Sequence, residues 1–186
     1  MTYKNLFISI VVFLSTSLLS GCFSMSTLEK NATLENDESI FVIGMKPENF
    51  RLSVFAGDIK NGEFKTNFMR SIAVFAFPEK GYVVAKGHAG DTLAIISVTP
   101  YEKGAFLKPL YITCSGEKML TFKIPSGKVI YISDLLYSYS GSGIAVSYKQ
   151  DFDSARQYMD KNYATLQGTL EAWPSEFATS NKECAR

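Results

Sequence analysis

The chain is poor in the residues that catalysis and nucleic-acid binding usually require. Its 186 residues include one histidine, one tryptophan and three cysteines. Lysine and arginine together number 19 and aspartate and glutamate 18, so there is almost no basic excess. Nucleic-acid-binding proteins normally show such an excess or a basic stripe, since contacts to phosphate provide much of their affinity. We therefore expect no nucleic-acid partner.

The single histidine, His88, has little support as a catalytic group. It lies in Lys86-Gly87-His88-Ala89-Gly90, a glycine-rich stretch typical of an exposed turn. A hydrolase acting on envelope polymers would need a nucleophile and an orienting carboxylate beside the imidazole. A zinc site would need closely spaced ligands, and the cysteines are distant from the histidine in the sequence. The sequence predicts that the protein is not an enzyme and needs no metal or cofactor.

The only long apolar run lies at the amino end. At 1.5 Å per residue, residues 6–19 (LFISIVVFLSTSLL) make a helix of about 21 Å, short of the ~30 Å bilayer core and typical of a signal peptide. The next residues, Leu19-Ser20-Gly21-Cys22, resemble the bacterial lipobox. The resemblance implies that the signal, residues 1–21, is removed and that Cys22 carries a diacylglyceryl group and further acyl chains such as palmitate. The alternative is an ordinary secretory signal with an incidental cysteine.

The same resemblance implies a location. Two or more acyl chains hold a protein stably on a membrane, whereas one chain does so only marginally. Phe23 follows Cys22, and in enteric-type bacteria an aspartate at that position tends to retain lipoproteins at the inner membrane. We therefore expect a lipid anchor in the cell outer membrane, with the domain facing the periplasm. Loss of Lys4 with the signal leaves 18 charges of each sign and no polybasic segment to assist the lipid.

The other two cysteines are candidates for a disulfide bond. The periplasm is oxidising, and paired thiols there tend to be joined. We predict a bridge between Cys114 and Cys184, which would fasten the carboxyl tail to the β-rich part of the chain. Two free thiols are the alternative.

The mature chain divides into a tether and one domain. Residues 22–38 are mostly polar and have no apolar periodicity, which predicts a flexible tether. Residues 39–186 alternate short apolar runs with turn signals such as Asn61-Gly62. The expected strands are Ile40–Ile43, Phe50–Ala56, a strand at Phe64, Ile72–Phe77, Tyr82–Ala85, Thr92–Val98, Leu110–Thr113, Met119–Ile124, Lys128–Ile132 and Ile144–Tyr148. Strands this short predict a mainly β fold, an antiparallel β-sandwich of immunoglobulin or transthyretin type.

One C-terminal α-helix is expected to pack on this sandwich. Apolar and aromatic residues recur at spacings of three and four, and Asp151 or Asp153 can cap the first turn. These recurring positions are Ala155, Tyr158/Met159, Asn162/Tyr163 and Leu166. Beyond Gly168 we expect a helical extension over Leu170–Trp173 and then a tail.

The remaining candidate groups have ordinary structural explanations. Asp134 ends a predicted strand, while Asp151 and Asp153 could serve acid–base chemistry or calcium but are explained by helix capping. Residues 140–143 (SGSG) lack the lysine of a phosphate loop and predict a hairpin loop. A set of tyrosines could line a ligand groove or an interface, although strand propensity also explains them. They are Tyr131, Tyr137, Tyr139 and Tyr148.

A phrase in the second half of the domain resembles families of small bacterial β-sandwich lipoproteins. Residues 122–134 read FKIPSGKVIYISD, and in those families a strand ends in Pro-x-Gly-Lys and the next begins Val-x-Tyr-Ile-Gly. Ser133 stands here in place of that last glycine. The resemblance implies a sandwich fold and a cell-envelope location, and it brings no catalytic residues.

Two functions follow from these observations. We expect a membrane-anchored cell-envelope lipoprotein that binds or scaffolds another envelope protein and is not an enzyme. The alternative is a periplasmic binder of a small ligand or glycan, which requires a concave pocket lined by tyrosine.

Overall fold

The computed structural model describes residues 27–67, 70, 72–101, 111–140 and 143–183. Within them lie twelve strands and one helix. In chain order they are β1 (Glu38–Lys46), β2 (Phe50–Lys60), β3 (Glu63–Thr66), β4 (Ile72–Ala76), β5 (Tyr82–His88), β6 (Thr92–Pro100), β7 (Tyr111–Ile112), β8 (Lys118–Lys123), β9 (Val129–Ser140), β10 (Gly143–Lys149), α1 (Phe152–Asn162), β11 (Leu170–Ala172) and β12 (Glu176–Ser180). The predicted signal peptide, Cys22 and Cys184 lie outside the described residues.

The first sheet is built around β9, its longest strand. The strand order is β10-β9-β1-β5, and β11 pairs with β9 beyond the part that β10 occupies. β9 runs parallel to β1 and to β11, while β10–β9 and β1–β5 are antiparallel. The sheet is therefore mixed.

The second sheet closes on itself. Its order is β4-β2-β3-β12-β8-β6-β7, and β2 also pairs with β6, so β2, β3, β12, β8 and β6 form a closed five-strand barrel. A cluster of buried residues from four of these strands fills it: Phe64, Ala94, Ile96, Met119 and Ala178. At Gly57 an added Cβ would lie 2.3 Å from the carbonyl oxygen of Lys65 and 2.4 Å from the ring of Phe64. Glycine is thus the residue that lets β3 approach β2 this closely.

The fold is mainly β and sandwich-like, but it is not specifically of immunoglobulin or transthyretin type. The prediction of a purely antiparallel sandwich was wrong because both sheets contain parallel pairs and one closes into a barrel. Part of the difference comes from residues 170–180, for which we expected a helical extension and a tail. They form β11 and β12, which add a parallel neighbour to β9 and to β3 respectively.

The predicted C-terminal helix is confirmed. The main core lies between the two sheets, and α1 covers the other face of the first sheet. Ala155 and Met159 on α1 are buried there against residues of β1, β5 and β9. Asp151 is the N-cap, since its Oδ1 accepts a hydrogen bond of 3.3 Å from the backbone N–H of Ser154.

Some of the described residues before β1 contact the domain. The backbone N–H of Leu28 donates to the carbonyl of Val84 on β5 at 2.7 Å. The carbonyl of Leu28 in turn accepts from the hydroxyl of Tyr163 at 2.9 Å, just after α1. The hydroxyl of Thr165 donates to the carbonyl of Lys30 at 3.1 Å. Leu28 and Lys30, in the predicted tether of residues 22–38, therefore contact β5 and the residues just after α1.

Candidate functional site

The tyrosines that we considered together do not share a surface. Tyr131 is fully buried between the first sheet and α1. Tyr137 is buried on the opposite face of that sheet, with its ring 6.1 Å from the ring of Phe50. Tyr148 is partly exposed on β10, and the side chain of Tyr139 lies outside the described residues. No single tyrosine-lined groove is formed by this set.

The other polar candidates also remain separate. His88 ends β5 as an exposed residue, paired in register with Glu38 on β1. Asp153 is exposed on the first turn of α1, 3.9 Å from Arg156. Among the described residues, no three histidine, cysteine or acidic side chains are grouped as a metal site. Nor is any helix there long and apolar enough to cross a membrane.

A cleft of about 390 Å³ opens beside the N-terminus of α1, at a place where we predicted no site from the sequence. The ends of β1, β10 and α1 meet there with the middle of β9 and the turn before β5. Ionisable side chains form much of its wall, three cationic and three anionic: Lys46, Lys80, Lys149, Glu48, Asp134 and Asp151. Their formal charges cancel, so the cleft is polar without favouring ions of one sign overall.

A β-bulge places Asp134 in this cleft. Val42 on β1 pairs with Tyr131, but the next residue, Ile43, pairs with Ser133, so β9 has one extra residue. Before the bulge the odd-numbered residues of β9 face α1, and after it the even-numbered ones do. Tyr131 and Asp134 therefore lie on the same side of the sheet although an uninterrupted strand would separate them.

Glycine on the neighbouring strand makes room for the carboxylate. Gly44 pairs in register with Asp134. A Cβ built on Gly44 would lie only 1.8 Å from Oδ1 of Asp134. Any other residue at this position would force the carboxylate to move.

The buried hydroxyl of Tyr131 orients this carboxylate. It donates a hydrogen bond of 2.9 Å to Oδ1 of Asp134 and accepts one of 3.0 Å from the backbone N–H of Asp151. Burial raises the pKa of Asp134, and the hydrogen bond from Tyr131 opposes that rise because it stabilises the ionised form. No described residue donates a hydrogen bond to Oδ2 or lies within salt-bridge distance of the carboxylate.

The other charges of the cleft are held differently. Lys149 forms a 2.8 Å ion pair with Asp151 at the start of α1, which lowers the pKa of Asp151 and raises that of Lys149. Lys80 donates to the side-chain oxygen of Asn162 at 2.9 Å. Lys46 is exposed, and no carboxylate of the described residues lies within 4.0 Å of it. The cleft thus contains a lysine whose charge is not paired at close range.

Tyr82 completes the cleft on the β5 side. Its ring stacks on that of Tyr158 from α1, with 4.5 Å between centroids and an interplanar angle of 28°. Burial, followed by the nearby charges of Asp134 and Asp151, raises the pKa of Tyr82 to about 12. The phenol is therefore neutral across the physiological range and can act as a hydrogen-bond donor.

A second feature is the outer edge of β10. Among the strands that the structure describes, β10 pairs with β9 alone. Ile144 and Val146 pack against the main core, and the next residue on that side, Tyr148, is 36% exposed. Its ring contacts that of Phe177 on β12 edge to face, with centroids 5.0 Å apart, and Phe177 is 52% exposed.

The sequence analysis missed Asp134 as a site residue because it placed the residue at the end of a strand. The sequence carried no clear signal of the bulge, because Val129 to Ile132 is a continuous run of buried apolar residues and shows no alternation whose phase could be followed across Ser133-Asp134. Comparison with protein-family models, with curated proteins and with solved structures found no match to this chain.

Proposed function

We propose that this protein is a membrane-anchored lipoprotein of the cell envelope that binds another envelope protein and is not an enzyme. The lipobox resemblance at Leu19-Ser20-Gly21-Cys22 supports the anchor and a location at the outer membrane. The binding function depends on one observation, the outer edge of β10, which pairs with no other described strand and lies beside the exposed Tyr148–Phe177 pair. The occupant would be an extended segment of the partner, added as a further strand of the first sheet.

The edge has the properties that strand addition needs. β10 has seven residues, so a parallel or antiparallel segment of about 23 Å could pair along it. The opposite edge of this sheet, β5, is already partly occupied, because the N–H of Leu28 donates a hydrogen bond to the carbonyl of Val84 there. An added strand beside β10 would also cover Tyr148 and Phe177, and aromatic residues contribute strongly at protein interfaces.

A photo-reactive amino acid tests this edge. With p-benzoylphenylalanine in place of Tyr148, irradiation of intact cells is expected to give one discrete cross-linked species. Tyr101 is the matched control, because it is a tyrosine of 57% exposure that lies just after the end of β6, a strand of the other sheet. Equal products from both positions, or none from position 148, would refute the edge as the binding surface.

Amide exchange distinguishes strand addition from simple side-chain contact. In the complex identified by cross-linking, backbone amides of residues 143–149 are expected to exchange more slowly than in the isolated protein, since added main-chain hydrogen bonds protect them. Tyr148→Ala is expected to weaken binding by about 2 kcal/mol, or roughly 30-fold, whereas Tyr101→Ala leaves it unchanged. Unaltered exchange along β10 would contradict the proposal.

The anchor has its own test. Mass spectrometry of protein extracted from membranes is expected to find Cys22 as the first residue, with the mass of diacylglyceryl and acyl groups added. Cys22→Ser is expected to abolish both the cleavage before residue 22 and the added mass, while the control Cys114→Ser retains them. An uncut chain of unmodified mass in the native protein would exclude the lipoprotein assignment.

A further inference from the structure

The geometry points to a binding site for a small zwitterion, of the kind represented by a short peptide with a free ammonium and a free carboxylate, in the cleft around Asp134. This site is separate from the β10 edge and does not depend on it. The ammonium would bind the carboxylate of Asp134, and the carboxylate would lie toward Lys46 and Lys80.

The acidic half of the site is preorganised. Tyr131 holds one oxygen of Asp134, and Tyr131 is itself held by the backbone of Asp151. The second oxygen receives no hydrogen bond from the described residues. A partly desolvated carboxylate with a spare oxygen gains most from a cationic donor, because a charge-assisted hydrogen bond replaces the water that burial removed.

The basic half of the site is available at the rim. Lys46 has no carboxylate of the described residues within 4.0 Å, and within the same part of the chain Lys80 donates only to the neutral side chain of Asn162. Lys149 is already neutralised by Asp151. Beside Glu48, the third carboxylate of the cleft, two lysines therefore remain to receive an anionic group, while Asp134 receives the cationic one.

The size of the cleft sets the class of ligand. Its volume of about 390 Å³ lies at the small end of the range for small-molecule sites. Opposite charges within so small a space favour a compact molecule with one group of each sign over a long polymer. The neutral hydroxyl of Tyr82 adds a hydrogen-bond donor for the carboxylate of such a molecule, or an acceptor for its ammonium.

Nuclear magnetic resonance titration tests the site with defined probes. We expect glycylglycine, alanylalanine and triglycine to shift the backbone amide signals of Gly44, Gly81 and Asp134 saturably. N-acetyl-glycylglycine, which lacks the ammonium, and glycylglycine amide, which lacks the carboxylate, are each expected to bind at least 10-fold more weakly. Absence of saturable shifts with the three peptides, or equal binding of the blocked forms, would overturn the inference.

Variants assign the two halves of the site. Asp134→Asn keeps the side-chain size and is expected to weaken peptide binding at least 10-fold, while the control Asp153→Asn, on the exposed turn of α1, leaves it unchanged. Lys46→Gln is expected to weaken the binding of glycylglycine but not that of glycylglycine amide, since only glycylglycine has a carboxylate. Thermal unfolding checks that each variant is folded. If Asp134→Asn does not fold, the inference is tested by Lys46→Gln with glycylglycine and glycylglycine amide. An equal loss of affinity for these two probes would overturn the inference.

Discussion

Phe64→Ala is expected to lower the free energy of unfolding by about 3–5 kcal/mol, the usual cost of truncating a fully buried phenylalanine. The side chain is 1% exposed and belongs to the cluster that fills the five-strand barrel. The barrel interior is small, and its walls are held by hydrogen bonds around the whole ring, so they cannot move in to close the cavity. Urea unfolding followed by circular dichroism measures the change.

Ile59→Ala is the matched control for this substitution. Ile59 is the register partner of Phe64 on β2, but it is 40% exposed. Its truncation is expected to cost about 1 kcal/mol or less, because little buried surface is lost. Similar losses at the two positions would mean that the barrel interior is not closed as described.

Cys184→Ala is expected to lower the free energy of unfolding by about 4 kcal/mol under oxidising conditions, if the proposed disulfide with Cys114 forms. The chain-entropy estimate for a loop of about 70 residues gives this magnitude. The two regions are already close, since the N–H of Gly116 donates to the carbonyl of Ser180 at 3.0 Å. Ser115 also forms a parallel bridge with Ser180, and four chain steps separate Ser180 from Cys184. A non-reducing gel, with and without reductant, detects the bridge directly.

Coupling between the two cysteines separates a bridge from two independent thiols. Cys114→Ala and the double variant are each expected to lose about as much stability as Cys184→Ala, because any one change removes the same bond. Reductant is expected to lower the free energy of unfolding of the native protein to nearly that of the variants. Additive losses, or no response to reductant, would support the free-thiol alternative.

The sequence predicted most strands and the helix because alternation and turn signals are local. The sequence analysis did not predict β11 and β12, because these strands are short, lack apolar runs and lie on either side of Pro174. Their positions are determined by neighbours far away in the chain, β9 for β11 and β3 and β8 for β12. Parallel pairing and barrel closure likewise depend on which distant strands meet, and side-chain alternation carries no information about that choice.

The candidate site was harder to predict than the fold. Asp151, one of the two residues predicted as the helix cap, is the cap, yet its backbone also holds Tyr131, which in turn orients Asp134. That chain of contacts joins residues on β9 and at the start of α1 and requires a glycine on β1. Each residue alone has a common structural explanation, and only the bulge in β9 brings the three together.

The contacts made by residues 27–37 restrict how far the domain can move if Cys22 carries lipid. Only residues 22–26 then separate the acyl chains from the first described residue, and fully extended they span about 18 Å. The surface formed by β5 and the end of α1 would consequently stay within a protein's width of the headgroups. Partners bound by the domain would therefore be met close to the bilayer surface.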